Sequence, residues 1–210
     1  MTVKELSALL AEGGIEDPLT EARLMVGRFG HASEADLFLG CAEAGGGEFE
    51  SAVHRRLSGE PLAYIFGEWA FDRETYLVSP AVLIPRQDTE ILVEEARKRC
   101  PKGARFLDLC TGSGCVVLST LAHSPAAAAV AVDLSEDALA VAKENSRRLG
   151  LSDRVTFLKS DVLTETVPGK FDFTPRSEVA VIIQVFDSVT SGERLFTDLF
   201  QISRQTHRFE

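Results

Sequence analysis

A glycine turn directly after a short apolar run constrains the fold of this 210-residue chain more than any other feature. Residues 108–114 read Asp-Leu-Cys-Thr-Gly-Ser-Gly, and the apolar run begins at residue 105. Glycines let the backbone approach a ligand closely, and the helix that follows presents free N–H groups. The pattern predicts a strand over residues 105–109 and a helix over residues 114–122.

The same alternation of strand and helix continues along the chain. A strand is predicted over residues 128–132 and ends in Asp133; a helix over residues 135–149 and a third strand that ends near Asp161 follow. This order is typical of a doubly wound parallel sheet, which binds ligands at the carboxyl ends of its strands. Asp108, Asp133 and Asp161 all fall at such ends.

Two ligand classes are compatible with a Gly-x-Gly turn. A dinucleotide fingerprint has a third glycine where this chain has Val117, and a phosphate would be disfavoured beside the carboxylate of Asp108. Asp133 lies 21 residues beyond Gly112, which suits a ribose in either class. A ligand with an ammonium group and hydroxyls fits the acid better, which favours S-adenosylmethionine over a nicotinamide dinucleotide.

The chemistry of that ligand predicts a role for each group. Asp108 is predicted to face its amino-acid portion, Asp133 to accept both ribose hydroxyls, and Asp161 with Val162 to contact adenine. A surface turn acid is the alternative for Asp161. The backbone that faces the amino-acid portion belongs to Cys110, Thr111, Gly112, Ser113 and Gly114. The four cysteines lack paired metal-site spacing, so we expect packing thiols and no metal.

Composition limits the classes of partner. Hydrophobic residues make up 45% and charged residues 26%, and 22 basic against 32 acidic residues give a net charge of −10. That balance argues against nucleic-acid binding driven by phosphate contacts. No segment reads as a signal peptide or membrane span, so we expect no membrane association and a cytoplasmic protein.

Four regions are predicted along the chain. Residues 1–58 form an N-terminal helical bundle that begins with a Thr2–Glu5 capping box. Residues 59–88, rich in aromatic and β-branched residues, form a hairpin linker. Residues 89–173 form the ligand-binding core, and residues 174–210 a divergent tail.

Much of the chain resembles the HemK/PrmC family, the glutamine N5-methyltransferases of peptide chain release factors. The most specific match is residues 84–90, Ile-Pro-Arg-Gln-Asp-Thr-Glu, although the family usually has proline at Gln87. The matching segments are residues 59–65, 82–90, 107–114, 131–135, 154–158, 160–161 and 170–172.

The resemblance implies a Rossmann-like class I methyltransferase sheet with an N-terminal helical domain for docking the protein substrate. It also implies S-adenosylmethionine as cofactor and a release factor as partner, and we expect a monomer. The family places Asn-Pro-Pro-Tyr after the strand that corresponds to residues 171–173, to hold the acceptor amide. This tetrapeptide is absent from the 210 residues, where Phe173 runs into Thr174-Pro175-Arg176.

Because of that departure we assign no catalytic residue, and we expect a sheet with too few strands and a shortened C-terminal end. Asn145 in the middle of a predicted helix is interpreted as a surface residue. Two alternatives to glutamine methylation stay open. One is an inactive remnant that binds the methyl donor or the partner without turnover, and the other is an adenine N6-methyltransferase, a class that also uses such a tetrapeptide.

Overall fold

The computed structural model describes residues 1–30, 32–124, 128–162, 164, 165 and 167. They divide into two compact units, Met1–Phe66 and a second unit that begins at Gly67. The predicted tail over residues 174–210 and the match at residues 170–172 lie outside the described residues. The division into a helical domain, a hairpin linker and a core therefore stays a prediction of organisation.

The first unit is helical, as the sequence predicts. The capping box is confirmed, since the Thr2 hydroxyl accepts from the backbone N–H of Glu5 at 3.2 Å and the Glu5 carboxylate accepts from the N–H of Thr2 at 2.8 Å. Apolar side chains at helical spacing, such as Leu6 and Leu10, are fully buried. The helices are α1 (Val3–Glu12), α2 (Pro18–Gly30), α3 (Glu34–Leu39), α4 (Gly47–Leu57) and α5 (Leu62–Phe66).

The predicted hairpin is confirmed and opens the second unit. Strands β1 (Glu68–Phe71) and β2 (Glu74–Leu77) pair antiparallel, and Asp72 in the turn has a φ of 56°. The sequence interpretation missed helix α5, which occupies the start of the region assigned to the hairpin. A five-residue apolar helix carries too short a pattern to be distinguished from a strand.

Polar contacts fasten the hairpin to two helices of its own unit, α6 (Glu90–Arg99) and α7 (Cys115–Ala122). The Arg97 guanidinium donates to the Asp72 carboxylate and, at 2.8 Å, to the carbonyl of Ser119. The Tyr76 hydroxyl lies 2.6 Å from that of Ser119. Arg97 and Asp72 are 12% and 10% exposed, so their ion pair is poorly screened by solvent.

The second unit also contains a parallel sheet. Strands β3 (Arg105–Leu109), β4 (Ala128–Asp133) and β5 (Val155–Lys159) pair in parallel in that order, and α7 and α8 (Glu136–Arg148) connect them. Phe106 belongs to the main apolar core, whereas Leu107 packs on the opposite side of the sheet with Val130 and Val132. A sheet that is apolar on both faces is typical of α/β folds, as the sequence predicts.

None of the helices in the described part of the chain is long and apolar enough to cross a membrane.

Replacing Arg97 by methionine should lower the free energy of unfolding by about 2–4 kcal/mol, because the nearly buried Asp72 carboxylate would lose its partner. The Arg97 guanidinium lowers the pKa of Asp72. The stabilising contribution of the ion pair is therefore present above the pKa that Asp72 has in the unfolded state. It is lost as the pH falls through the lower pKa that Asp72 has in the folded state. Urea unfolding at neutral pH provides the measurement.

The matched control for this change is Arg99→Met on the same helix. Arg99 is 60% exposed and pairs with Glu95 at the surface, so its loss should change stability by less than about 1 kcal/mol. Equal losses for the two variants would contradict the anchoring role of Arg97.

Candidate functional site

The turn between β3 and α7 has an unusual backbone. Cys110, Gly112 and Gly114 have φ values of 58°, 55° and 80°, in the left-handed region that favours glycine. A Cβ atom at Gly114 would lie 3.2 Å from the Cβ of Ala142, so α7 and α8 approach closely there. Among the described residues, apart from its two chain neighbours, no atom would lie within 4 Å of a Cβ atom at Gly112. This side of the turn is therefore open to a ligand.

Hydrogen bonds hold the turn to the ends of two strands. The N–H of Thr111 donates to the carbonyl of Val132 at 2.9 Å, and the N–H of Gly112 donates to Oδ2 of Asp133 at 2.8 Å. The Thr111 hydroxyl donates to Oδ2 of Asp108 at 2.7 Å. The backbone of the turn is thus fixed relative to β3 and β4.

Asp133 connects three segments at the carboxyl edge of the sheet. Besides the bond to Gly112, its Oδ1 accepts from the N–H of Ser135 at 3.0 Å, and its carbonyl accepts from the N–H of Ser160 at 3.1 Å. The residue is half-buried. Each carboxylate oxygen has a second lone pair, so Asp133 can still accept from a ligand hydroxyl.

Asp108 is only 3% exposed. Burial raises the pKa of its carboxyl from 3.8 to about 7; the hydrogen bond from Thr111 opposes this rise and the charge of Asp133 adds to it. A cationic group placed beside Asp108 would favour the ionised form.

The three predicted acids lie at the carboxyl ends of neighbouring parallel strands, and all three act electrostatically on Cys110. The pKa of the Cys110 thiol is raised to about 12, mainly by burial and then by the carboxylates of Asp133, Asp108 and Asp161, in decreasing order. The structure therefore brings the three acids together at the carboxyl edge of the sheet. The resulting field is negative, which suits a cationic ligand and opposes a phosphate.

Asp161 and Val162 follow β5 at the same edge, and both are half-buried. The N–H of Asp161 donates to the carboxylate of Glu165 at 3.3 Å, and its carbonyl accepts from the N–H of Glu165 at 2.8 Å. Val162 packs against the apolar cluster of Leu107, Val130 and Val132. The predicted adenine contact and the alternative of a turn acid are both compatible with this arrangement.

The interpretation of Asn145 as a surface residue is wrong. Asn145 is 1% exposed, and its side chain bonds to the backbone of Leu77 and Ser113. Polarity alone predicts exposure at this position, because a polar residue in the middle of a helix is usually solvated. The missed signal is its spacing of three residues from the buried Ala142, which places it on the apolar face of α8.

The four cysteines are free thiols. Over the described ranges, no group of three or more His, Cys, Asp or Glu side chains is arranged to hold a metal ion.

Comparisons with known proteins assign both units. The family model "PrmC N-terminal domain" matches residues 2–67, and "Methyltransferase small domain" matches residues 86–174. The release factor glutamine methyltransferase of Moorella thermoacetica is 41% identical over an alignment of 160 residues, which covers 73% of this chain and 56% of the relative. This chain belongs to the HemK/PrmC family.

Two further relatives of the family carry the same name. The protein of Nitratidesulfovibrio vulgaris is 44% identical over 117 residues, covering 55% of this chain and 40% of the relative. That of Chlorobaculum tepidum is 33% identical over 189 residues, covering 81% and 63%. The chain thus spans less than two thirds of the length of these curated relatives. The predicted fold, a Rossmann-like class I methyltransferase with an N-terminal helical domain, is confirmed.

Alanine substitutions at the two turn glycines should differ in their cost. Gly114→Ala should lower the free energy of unfolding by about 2–4 kcal/mol, because a left-handed φ is combined with contacts to Ala142 and Leu118. Gly112→Ala should cost about 1–2 kcal/mol, since only the left-handed φ opposes it. Urea unfolding measures both, and a larger loss at Gly112 would contradict the described packing.

Replacing Asp108 by asparagine should flatten the dependence of stability on pH. Because the folded state keeps the Asp108 proton to a higher pH than the unfolded state, the free energy of unfolding of the unsubstituted protein falls as the pH rises from 3.8 to about 7. Asp108→Asn removes that loss and should gain roughly 2–4 kcal/mol relative to the unsubstituted protein between about pH 4 and pH 8.

Urea unfolding at several pH values checks this expectation. Glu94→Gln, which removes a carboxylate that is 64% exposed, controls for the change in net charge. Parallel pH profiles for the unsubstituted protein and Asp108→Asn would show that Asp108 titrates normally.

Proposed function

We propose that this chain binds S-adenosylmethionine at the turn of residues 108–114, and that it serves the methylation of a glutamine side-chain amide in a peptide chain release factor. The observation that carries the proposal is the buried carboxylate of Asp108 beside a glycine turn that is open at Gly112. Membership of the HemK/PrmC family supports it.

The electrostatics of the site favour this ligand over a dinucleotide. A pyrophosphate would bring negative charge next to Asp108 and Asp133. In the described part of the chain, the side-chain contacts of these two acids include no Lys or Arg. The ammonium group of S-adenosylmethionine would instead compensate a buried carboxylate. The ligand carries a second positive charge on its sulfur.

Each residue has a proposed role in holding the ligand. Asp108 accepts from the ammonium group, and the backbone of residues 110–114 faces the amino-acid portion. Asp133 accepts from the ribose hydroxyls, since each of its carboxylate oxygens has a second lone pair beyond the one used in its described bond. Asp161 and Val162, at the end of β5, contact the adenine. When bound, S-adenosylmethionine supplies an electrophilic methyl group on a positively charged sulfur.

The acceptor imposes a second requirement. An amide nitrogen is a weak nucleophile because its lone pair is delocalised into the carbonyl, so transfer depends on holding it in the right orientation. The Asn-Pro-Pro-Tyr tetrapeptide that the family resemblance implies for this task is absent from the sequence. This observation favours one alternative function, in which the chain binds the donor without transferring the methyl group.

The proposal includes a release factor as protein partner, docked by the helical region of residues 1–58, and a monomer in the cytoplasm. Residues 59–88 would link that region to the core of residues 89–173. With a net charge of −10, the chain is poorly suited to a polyanionic acceptor, which argues against adenine N6-methylation of nucleic acid.

Donor affinity should depend on the ionisation of Asp108. The affinity for S-adenosylmethionine should rise as the pH increases through about 7, because the ammonium group binds the ionised carboxylate. Asp108→Asn should weaken binding at least roughly tenfold near neutral pH and remove this rise. Titration calorimetry measures both effects, with Glu94→Gln as the control. An affinity that changes neither with pH nor on the substitution Asp108→Asn would contradict the assigned role.

A transfer assay then distinguishes the two functions. With radiolabelled S-adenosylmethionine and a purified release factor, methylation of a glutamine supports the proposed enzyme. Donor binding without any transfer supports the inactive alternative. Absence of donor binding by the intact chain would refute the proposed enzyme and the donor-binding form of the alternative.

A further inference from the structure

Asn145 of α8 bonds to two segments that are far apart in the sequence. We propose that it is a positioning residue, which fixes the donor turn through Ser113 and the end of β2 through Leu77 in a single arrangement. The inference rests on the proposed function, since it concerns the site proposed for the methyl donor. It adds a residue for which the sequence suggested no role.

The Asn145 amide uses its hydrogen-bonding groups almost completely. Its Oδ1 accepts from the N–H of Leu77 at 2.7 Å, and its Nδ2 donates to the carbonyl of Leu77 at 3.0 Å and to the carbonyl of Ser113 at 2.9 Å. Two carbonyls require the NH₂ group and one N–H requires the oxygen, so the orientation of the amide is fixed by its partners. Aspartate has the same shape but offers no donor at neutral pH.

The contact with Ser113 acts on the donor turn. Ser113 lies between the two left-handed glycines and is 2% exposed. Its carbonyl shares a peptide plane with the N–H of Gly114, which donates to the carbonyl of Thr111 at 2.8 Å. Asn145 therefore fixes this plane from the side of α8, whereas Asp133 and Val132 fix the turn from β4.

The contact with Leu77 acts on the start of the family-specific loop. Leu77 ends β2, and the next residue, Val78, is buried and bonds through its N–H to the carbonyl of Gly67 at 3.0 Å. From there the chain leads within a few residues to the Ile-Pro-Arg segment at residues 84–86. The amide that holds the donor turn thus also holds the origin of this loop.

Two other buried polar side chains, one in the hairpin and one in α8, serve as comparisons, because their described bonds go to neither Leu77 nor Ser113. Tyr76 bonds to Ser119 in α7. Ser146, next to Asn145 and 2% exposed, bonds to the carbonyl of Lys143 at 3.0 Å and lies 3.3 Å from the hydroxyl of Ser152. Removing these hydroxyls should affect stability without displacing the donor turn.

The first test measures donor affinity in the full chain. Asn145→Asp preserves the side-chain shape but places a carboxylate oxygen against two carbonyls. We expect it to bind S-adenosylmethionine at least roughly tenfold more weakly. Ser146→Ala and Tyr76→Phe should stay within about twofold of the unsubstituted protein, which a purely structural role for Asn145 would not predict. Equal affinities for Asn145→Asp and the unsubstituted protein would overturn the proposal.

The second test does not need the donor. In Asn145→Ala, the N–H of Leu77 loses its acceptor, so its hydrogen exchange measured by NMR should accelerate at least roughly tenfold. The N–H of Val78, which keeps its bond to Gly67, is the internal reference. Unchanged exchange at Leu77 would overturn the proposal even if the donor binds.

The outcomes separate this inference from the proposed function. If the unsubstituted protein binds no S-adenosylmethionine, the proposed function fails, and the exchange at Leu77 still decides whether Asn145 holds the two segments together. Circular dichroism must first show that the variants are folded. Loss of the native spectrum in both Asn145 variants, but not in Ser146→Ala, would make Asn145 a folding residue and overturn the positioning role.

Discussion

The arrangement of the site depends on one hydrogen bond, from the N–H of Gly112 to the carboxylate of Asp133. It requires that β3 and β4 run in parallel with Leu109 opposite Val132, so that the turn after one strand meets the acid that ends the other. The turn that carries this N–H also has a left-handed backbone at Cys110 and Gly112. Strand register, turn conformation and the position of one acid are therefore a single constraint.

The cost of this arrangement is a concentration of negative charge. Asp108 is nearly buried, close to Asp133, and its pKa is raised to about 7. A fold that served only stability would replace such an acid by an apolar residue or provide a basic partner. Retention of the acid next to an open turn is easier to understand if a cationic ligand supplies the missing charge, because the same burial then strengthens binding.

Much of the second unit follows from short-range patterns, and the exceptions have a physical reason. The alternation of strands and helices, the hairpin and the three acids at strand ends were predictable because each depends on residues close in sequence. Asn145 was not, because its partner Leu77 lies 68 residues away and polarity alone suggested solvent. Helix α5 was missed because Leu62–Phe66 is too short to show a period. The predictions for residues 174–210 lie beyond the described residues.

The acids at the carboxyl edge of the sheet also affect the reactivity of the Cys110 thiol. A thiolate is a strong nucleophile, and a sulfonium methyl group is an alkylating agent, so a reactive cysteine in a methyl-donor pocket would be at risk of methylating itself. Burial and the surrounding carboxylates hold the pKa of Cys110 near 12, which keeps the sulfur protonated. The carboxylates that would attract the donor would thus also keep this thiol in its protonated form, which is less readily methylated.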